Sequence, residues 1–213
     1  FGMWIEQLVA ESTGKEGKGL IPVVNEPVGS PESYGSDRVF ISVTLGDELS
    51  AHASTLAALG GAGHPVIEMR LADIYALGGE FLRWEAATAI AGQILGINPF
   101  DQPDVELAKK LAISRLNQAG EEGKAAPPGV ELKGDGFRLH IGKAAFEKAG
   151  YKGEDAIDAL KGFLKLIGKD DYIGLLAYYD PFDARIAESF AQTRKALNGA
   201  AGVATQFGYG PRY

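Results

Sequence analysis

A carboxylate at the end of an amphipathic helix, followed at once by glycines and lysines, is the first arrangement here that could do chemistry. Glu11 precedes Ser12-Thr13-Gly14-Lys15-Glu16-Gly17-Lys18-Gly19. Backbone N–H groups in such a run, with the ammonium groups of Lys15 and Lys18, could meet an anion. The same composition also suits a flexible surface turn. Further along, Glu106 and Lys109 have the spacing of an exposed ion pair on a helix. His52, His64 and His140 lie too far apart for zinc ligation at H-x3-H spacing. On its own, His52 reads as an ordinary helix histidine.

Other chemistries lack their residues. No G-x-x-x-x-G-K-[ST] is present, no G-x-G-x-x-G follows a strand, and there is no G-x-S-x-G. The absence of cysteine removes disulfides, thiolate metal sites and cysteine nucleophiles, and suits a reducing cytosol. Twenty-one basic and 28 acidic residues give a net charge of −7. That balance argues against a nucleic-acid platform, which needs a basic stripe. It leaves small phosphorylated ligands open, because these need only local donors. The longest uncharged stretch, residues 49–67, is broken by glycines and a proline, so no membrane span is expected. No signal peptide is visible.

These residues need elements to position them. Apolar spacing predicts a helix over residues 3–11, a short strand at 20–24 and a loop at 26–37. Strand 38–45, helix 47–59 and strand 65–71 follow. The strongest helix spans 79–95, with Phe81, Leu82, Trp84, Ala86, Ala89, Ile90 and Leu95 expected on its buried faces. Asn98-Pro99-Phe100-Asp101 breaks it before a helix over 102–119. A connector at 126–129 leads to a hairpin over 130–141 with an Asp-Gly turn, read as an insertion or a sheet edge. Helix 143–149, capped by Gly150, helix 154–167, strand 171–179, helix 184–197 and strand 202–207 complete the chain. Such alternation predicts an α/β fold, a three-layer sandwich with a mainly parallel sheet, in one domain over residues 1–213. Glycine, 29 of 213 residues, is about twice the usual share and suits a protein rich in turns. From the residues alone, the reading stops at a soluble α/β domain with loops suited to an anionic ligand.

One segment is more specific. Residues 79–109, GEFLRWEAATAIAGQILGINPFDQPDVELAK, closely resemble the C-terminal signature of glucose-6-phosphate isomerases, in which a helix and a short break lead into F-D-Q-x-G-V-E-x-x-K. Asp104 departs from the family's glycine. Residues 4–22, WIEQLVAESTGKEGKGLIP, resemble the W-x-x-Q-L-x-x-E-S-x-G-K-x-x-K-G-x-x-P stretch of bacterial members. Residues 208–213, GYGPRY, resemble the end of the isomerase module in bacterial transaldolase/isomerase fusions. Residues 120–200 are supported by order and spacing alone.

The resemblance implies aldose–ketose isomerisation of glucose 6-phosphate and fructose 6-phosphate, in glycolysis and gluconeogenesis, with no metal or organic cofactor. It implies a sugar-isomerase-type fold, with this chain as the second, C-terminal subdomain. Both ends read as cut, so a fragment is expected, lacking the first subdomain and any preceding transaldolase domain. A cytoplasmic homodimer is expected. Glu11 matches the family's proton-transfer carboxylate and Lys109 its lysine linked to ring opening. Gln102 and Glu106 match positions that support the same helix start, with Gln102, Lys15 and Lys18 as substrate-binding candidates. The family's histidine follows W-G-E-P-G-T. Asn25-Glu26-Pro27-Val28-Gly29 is a faint echo with no histidine close behind. His52 is therefore the nominated histidine, and Glu26 a rival carboxylate. The competing reading is a non-catalytic sugar-phosphate-binding or structural module.

Overall fold

A computed structural model describes residues 1–47, 50–101, 103–122, 129–180 and 182–210. Gln102, the prolines of the 126–129 connector and residues 211–213 lie outside that set. The chain is mixed helix and strand and divides into two compact units, Phe1–Gln102 with Asp170–Tyr213, and Pro103–Lys169.

The first unit holds two β-α-β turns. Strand β1 (Phe40–Leu45), helix α2 (Ala53–Gly61) and strand β2 (Val66–Leu71) form the first. Here β1 and β2 pair in parallel from Phe40 against Val66 to Leu45 against Leu71. Leu56 and Leu59 of α2 are buried. The second joins β5 (Ile173–Ala177) to β6 (Thr205–Tyr209) through α7 (Ala184–Ala201). These strands are also parallel, from Ile173 against Thr205 to Ala177 against Tyr209. Parallel neighbours require a crossover, and each helix supplies one. The expected α/β class therefore holds, with the strands hydrogen-bonded in pairs.

Two further helices complete this unit. Helix α1 (Gly2–Thr13) packs on α3 (Ala76–Leu95). Gly96, at φ +67°, ends α3. Ile97 N–H bonds back to Gly92 O at 3.0 Å and Gly96 N–H to Gln93 O at 3.2 Å. That is a Schellman closure, and it needs the left-handed residue glycine supplies.

Two expectations in this unit change. Residues 20–24 form no strand. Long side chains take the Pro22 and Val24 carbonyls, and Pro22 has no N–H to give to a ladder. Helix α3 is not covered all round: Leu82 is 67% and Ile90 61% exposed. Its buried residues are Glu80, Thr88 and Gly92, spaced by eight and then four residues toward one face. Apolar character did not locate that stripe because two of its three members are polar.

The second unit contains α4 (Pro103–Glu122), the antiparallel pair β3 (Val130–Lys133) and β4 (Arg138–Ile141), α5 (Lys143–Ala149) and α6 (Ala156–Leu164). The expected hairpin is present, closed by Gly134 N–H on Phe137 O at 3.0 Å. Leu132, Ile141, Ala156 and Ala159 form its core, with Phe146 and Tyr151 packed against them. Gly150, at φ +64°, ends α5 as expected. Asp155 caps α6 by accepting Asp158 N–H at 2.8 Å.

Candidate functional site

Helix α1 is pinned near its start by aromatic rings. Trp4 and Phe81 meet edge-on with centroids 4.6 Å apart, and Phe1 meets Phe81 at 5.5 Å. Such contacts contribute about 0.5–1.5 kcal/mol beyond simple burial. At the other end, buried Thr13 donates its hydroxyl to Val9 O at 2.7 Å and accepts Leu20 N–H at 3.0 Å. One hydroxyl thus satisfies a helix carbonyl and closes the loop that follows. Gly14 N–H on Ala10 O and Lys18 N–H on Lys15 O, both 2.9 Å, complete the turn.

The two lysines of this loop reach to the end of α3. Lys15 is 5% exposed. Its ammonium donates to Asn98 O at 2.8 Å, to Asp101 O, and to the Asp101 carboxylate at 3.0 Å. An ammonium has three N–H donors, and all three are taken. Lys18 donates to Leu95 O at 2.8 Å, with Gly96 O at 3.5 Å. The carbonyls at a helix C-terminus lack intrahelical donors and carry partial negative charge. Trp4 meets the start of α3 and Lys18 its end, so the two helices run in the same direction and bring their negative ends together. Two lysines at that shared end offset an otherwise unfavourable alignment.

Residues 20–26 lie against α7 and β6. Arg194, 3% exposed, donates to Thr205 O at 2.6 Å and Asn25 O at 2.9 Å. Weaker bonds reach Val24 O and Thr205 Oγ1. Gln206 donates to Pro22 O at 2.7 Å. Glu26 accepts Thr205 N–H at 2.9 Å and the Thr205 hydroxyl. Burial holds Arg194 below the usual guanidinium range, against the opposing pull of Glu26 and then Glu6. Nearby, Tyr34 accepts Gly29 N–H at 2.7 Å, while burial pushes its phenol up.

The sequence candidates therefore fall in different surroundings. Glu11 is exposed on the last turn of α1, beside the locked loop. Lys15 and Lys18 have internal partners. Glu26, the rival carboxylate, is engaged with Thr205. His52 is exposed and immediately precedes α2, with its N–H on Ser50 Oγ at 3.1 Å. Lys109 is exposed on α4 and pairs with Glu106 at 3.1 Å, the expected ion pair. The exposed face of the same helix carries a shallow, open depression beside Lys110, Ile113, Ser114, Asn117 and Gln118. No cluster of His, Asp or Glu suited to a metal occurs among the described residues. Sequence reasoning missed Arg194, Thr205 and the acceptor role of Asp101. Asp101 lies within the residue 79–109 motif, but nothing in the sequence joins it to Lys15.

Comparison with known proteins adds a direction. The chain is 31% identical to the glucose-6-phosphate isomerase of Rubrobacter xylanophilus over 156 residues, 55% of this chain and 36% of that protein. It is 30% identical to that of Leptospira interrogans over 177 residues, 66% of this chain and 38% of that protein. Over that part, the chain resembles glucose-6-phosphate isomerases. A probable glucose-6-phosphate isomerase of Methanococcus maripaludis is 30% identical over 53% of the chain. The chain spans little more than a third of the length of the relatives first matched. No family profile matches it. No solved structure matches it either. Among the described residues, no helix is long and apolar enough to cross a membrane.

Proposed function

We propose that this chain is part of a glucose-6-phosphate isomerase, the second sugar-isomerase-type subdomain of a longer cytoplasmic enzyme. The observation that carries the reading is the likeness, near 30% identity, to relatives of that name over 55–66% of the chain. The remaining length of those relatives corresponds to the rest of the enzyme, and a second copy completes a homodimer. A transaldolase domain ahead of the isomerase belongs to the same reading.

In this reading Glu11 takes the proton from C2 of the open-chain sugar and returns it to C1. A single carboxylate suits this because both transfers occur on one face of a cis-enediol. The C2 proton leaves, the enediol forms as the carbonyl oxygen gains a proton, and collapse in the other direction gives the ketose. No oxidant or cofactor is consumed. Lys109 serves ring opening, and His52 is the nominated histidine.

A coupled assay on the full-length polypeptide tests this. Glucose 6-phosphate and fructose 6-phosphate should interconvert, and Glu11→Gln and Lys109→Ala should each lose at least about 100-fold in turnover. Wild-type turnover in both variants contradicts the site. An inactive parent favours a non-catalytic sugar-phosphate-binding module, a reading supported by the engagement of Glu26 with Thr205 and the lack of a histidine close behind it.

A further inference from the structure

Resting on that isomerase reading, we propose that Lys15 is a positioning residue, which locks the carboxylate-bearing end of α1 and does not bind substrate phosphate. Lys18 assists it. A lysine in a glycine-rich loop beside a catalytic carboxylate invites assignment as an anion ligand. The geometry points elsewhere.

A phosphate ligand needs an accessible ammonium with donors to spare. Lys15 is 5% exposed and directs three donors at Asn98 O, Asp101 O and the Asp101 carboxylate. Turning it toward a ligand would leave two carbonyls without this partner and break its ion pair. Lys18 is exposed, and its 2.8 Å bond to Leu95 O holds the last turn of α3 from outside.

The loop that carries these lysines is itself closed. Thr13 Oγ1 accepts Leu20 N–H across it. A side chain on Gly19 would meet Gly14 Cα at 3.0 Å and Thr13 O at 3.1 Å. Glu16 is held at φ +55°, a left-handed conformation uncommon outside glycine. The loop thus has two fixed ends and two cationic arms.

Glu11 stands three residues before Gly14, where helices otherwise fray. Aromatic packing secures α1 through Phe1 and Trp4, about two turns or more upstream of Glu11. Beyond Glu11, Thr13 and the lysine arms hold the helix. Without them the carboxylate would move with an unpinned terminus. A displacement of about 1 Å can cost roughly 100-fold in rate, because proton transfer depends steeply on geometry.

The test compares Lys15→Met, Lys15→Arg and Lys18→Met in the full-length polypeptide. It uses steady-state kinetics with glucose 6-phosphate, and amide hydrogen exchange over residues 10–20. Lys15→Met should lower kcat about 100-fold per folded enzyme and leave KM within about threefold. Lys15→Arg should recover part of kcat, because a guanidinium can still donate to both carbonyls. Lys18→Met, at an exposed site that should fold, should lower kcat by roughly tenfold with KM again little changed. Exchange over 10–20 should accelerate in both methionine variants.

A tenfold or greater rise in KM with kcat retained would assign phosphate binding to the lysine and overturn the proposal. Unchanged kcat and KM in a less stable protein would reduce the latch to a structural role and overturn it too. If Lys15→Met does not fold, Lys18→Met decides by the same criteria. An inactive wild type sinks the isomerase reading, and the positioning role with it. Hydrogen exchange still decides the lock itself, which is wrong if exchange is unchanged.

Discussion

Lys15 and Lys109 each belong to a motif resembling the same family, yet their surroundings are opposite. Lys15 is 5% exposed and gives every donor to the protein, whereas the Lys109 side chain is 64% exposed and faces Glu106. The loop after α1 is built by side chains bonding to backbone over long sequence distances. The start of α4 is a plain helix with a local ion pair. A cation with its donors already satisfied shapes the site, whereas an exposed one is available to bind or move protons. Motif membership alone does not separate the two roles; exposure and donor count do.

That contrast can be tested through stability. The largest loss should come from Arg194→Ala, roughly 3–5 kcal/mol by denaturant unfolding, since it leaves buried carbonyls and Glu26 without their cation. Lys15→Met should follow at about 2 kcal/mol, reduced because Asp101 is half exposed and can turn to water. Gly96→Ala should cost about 1 kcal/mol, as alanine resists the left-handed angle that ends α3 beneath Lys18. Lys109→Ala should change stability by less than about 0.5 kcal/mol. Equal losses at Lys15 and Lys109 would erase the distinction. A still smaller loss at Lys15 would reverse it.

Much of the fold was legible because its signals are local. The Asp-Gly turn announced the β3–β4 hairpin, Gly150 announced the end of α5, and Asn98-Pro99-Phe100-Asp101 announced the break after α3. Residues 20–24 misled because their apolar run resembles a strand. Arg194 and Gln206, which bond to their carbonyls, lie 170 or more residues away. Helix α3 misled for a related reason: Glu80 and Thr88 occupy its buried face while Leu82 and Ile90 face solvent. At the site, Glu11 and the two loop lysines were legible as a group. The partners that distinguish a lock from a ligand, Asn98 and Asp101, lie more than 80 positions downstream. Only folding brings them to Lys15.

The central claim is that Glu11 moves the proton while its neighbours hold it in place. Transfer of deuterium from C2 of glucose 6-phosphate, to solvent or to C1 of the product, tests it most directly. The full-length polypeptide should release or transfer the label during turnover, and Glu11→Gln should slow that step about 1,000-fold with substrate still bound. Label movement at the wild-type rate in Glu11→Gln would contradict the account.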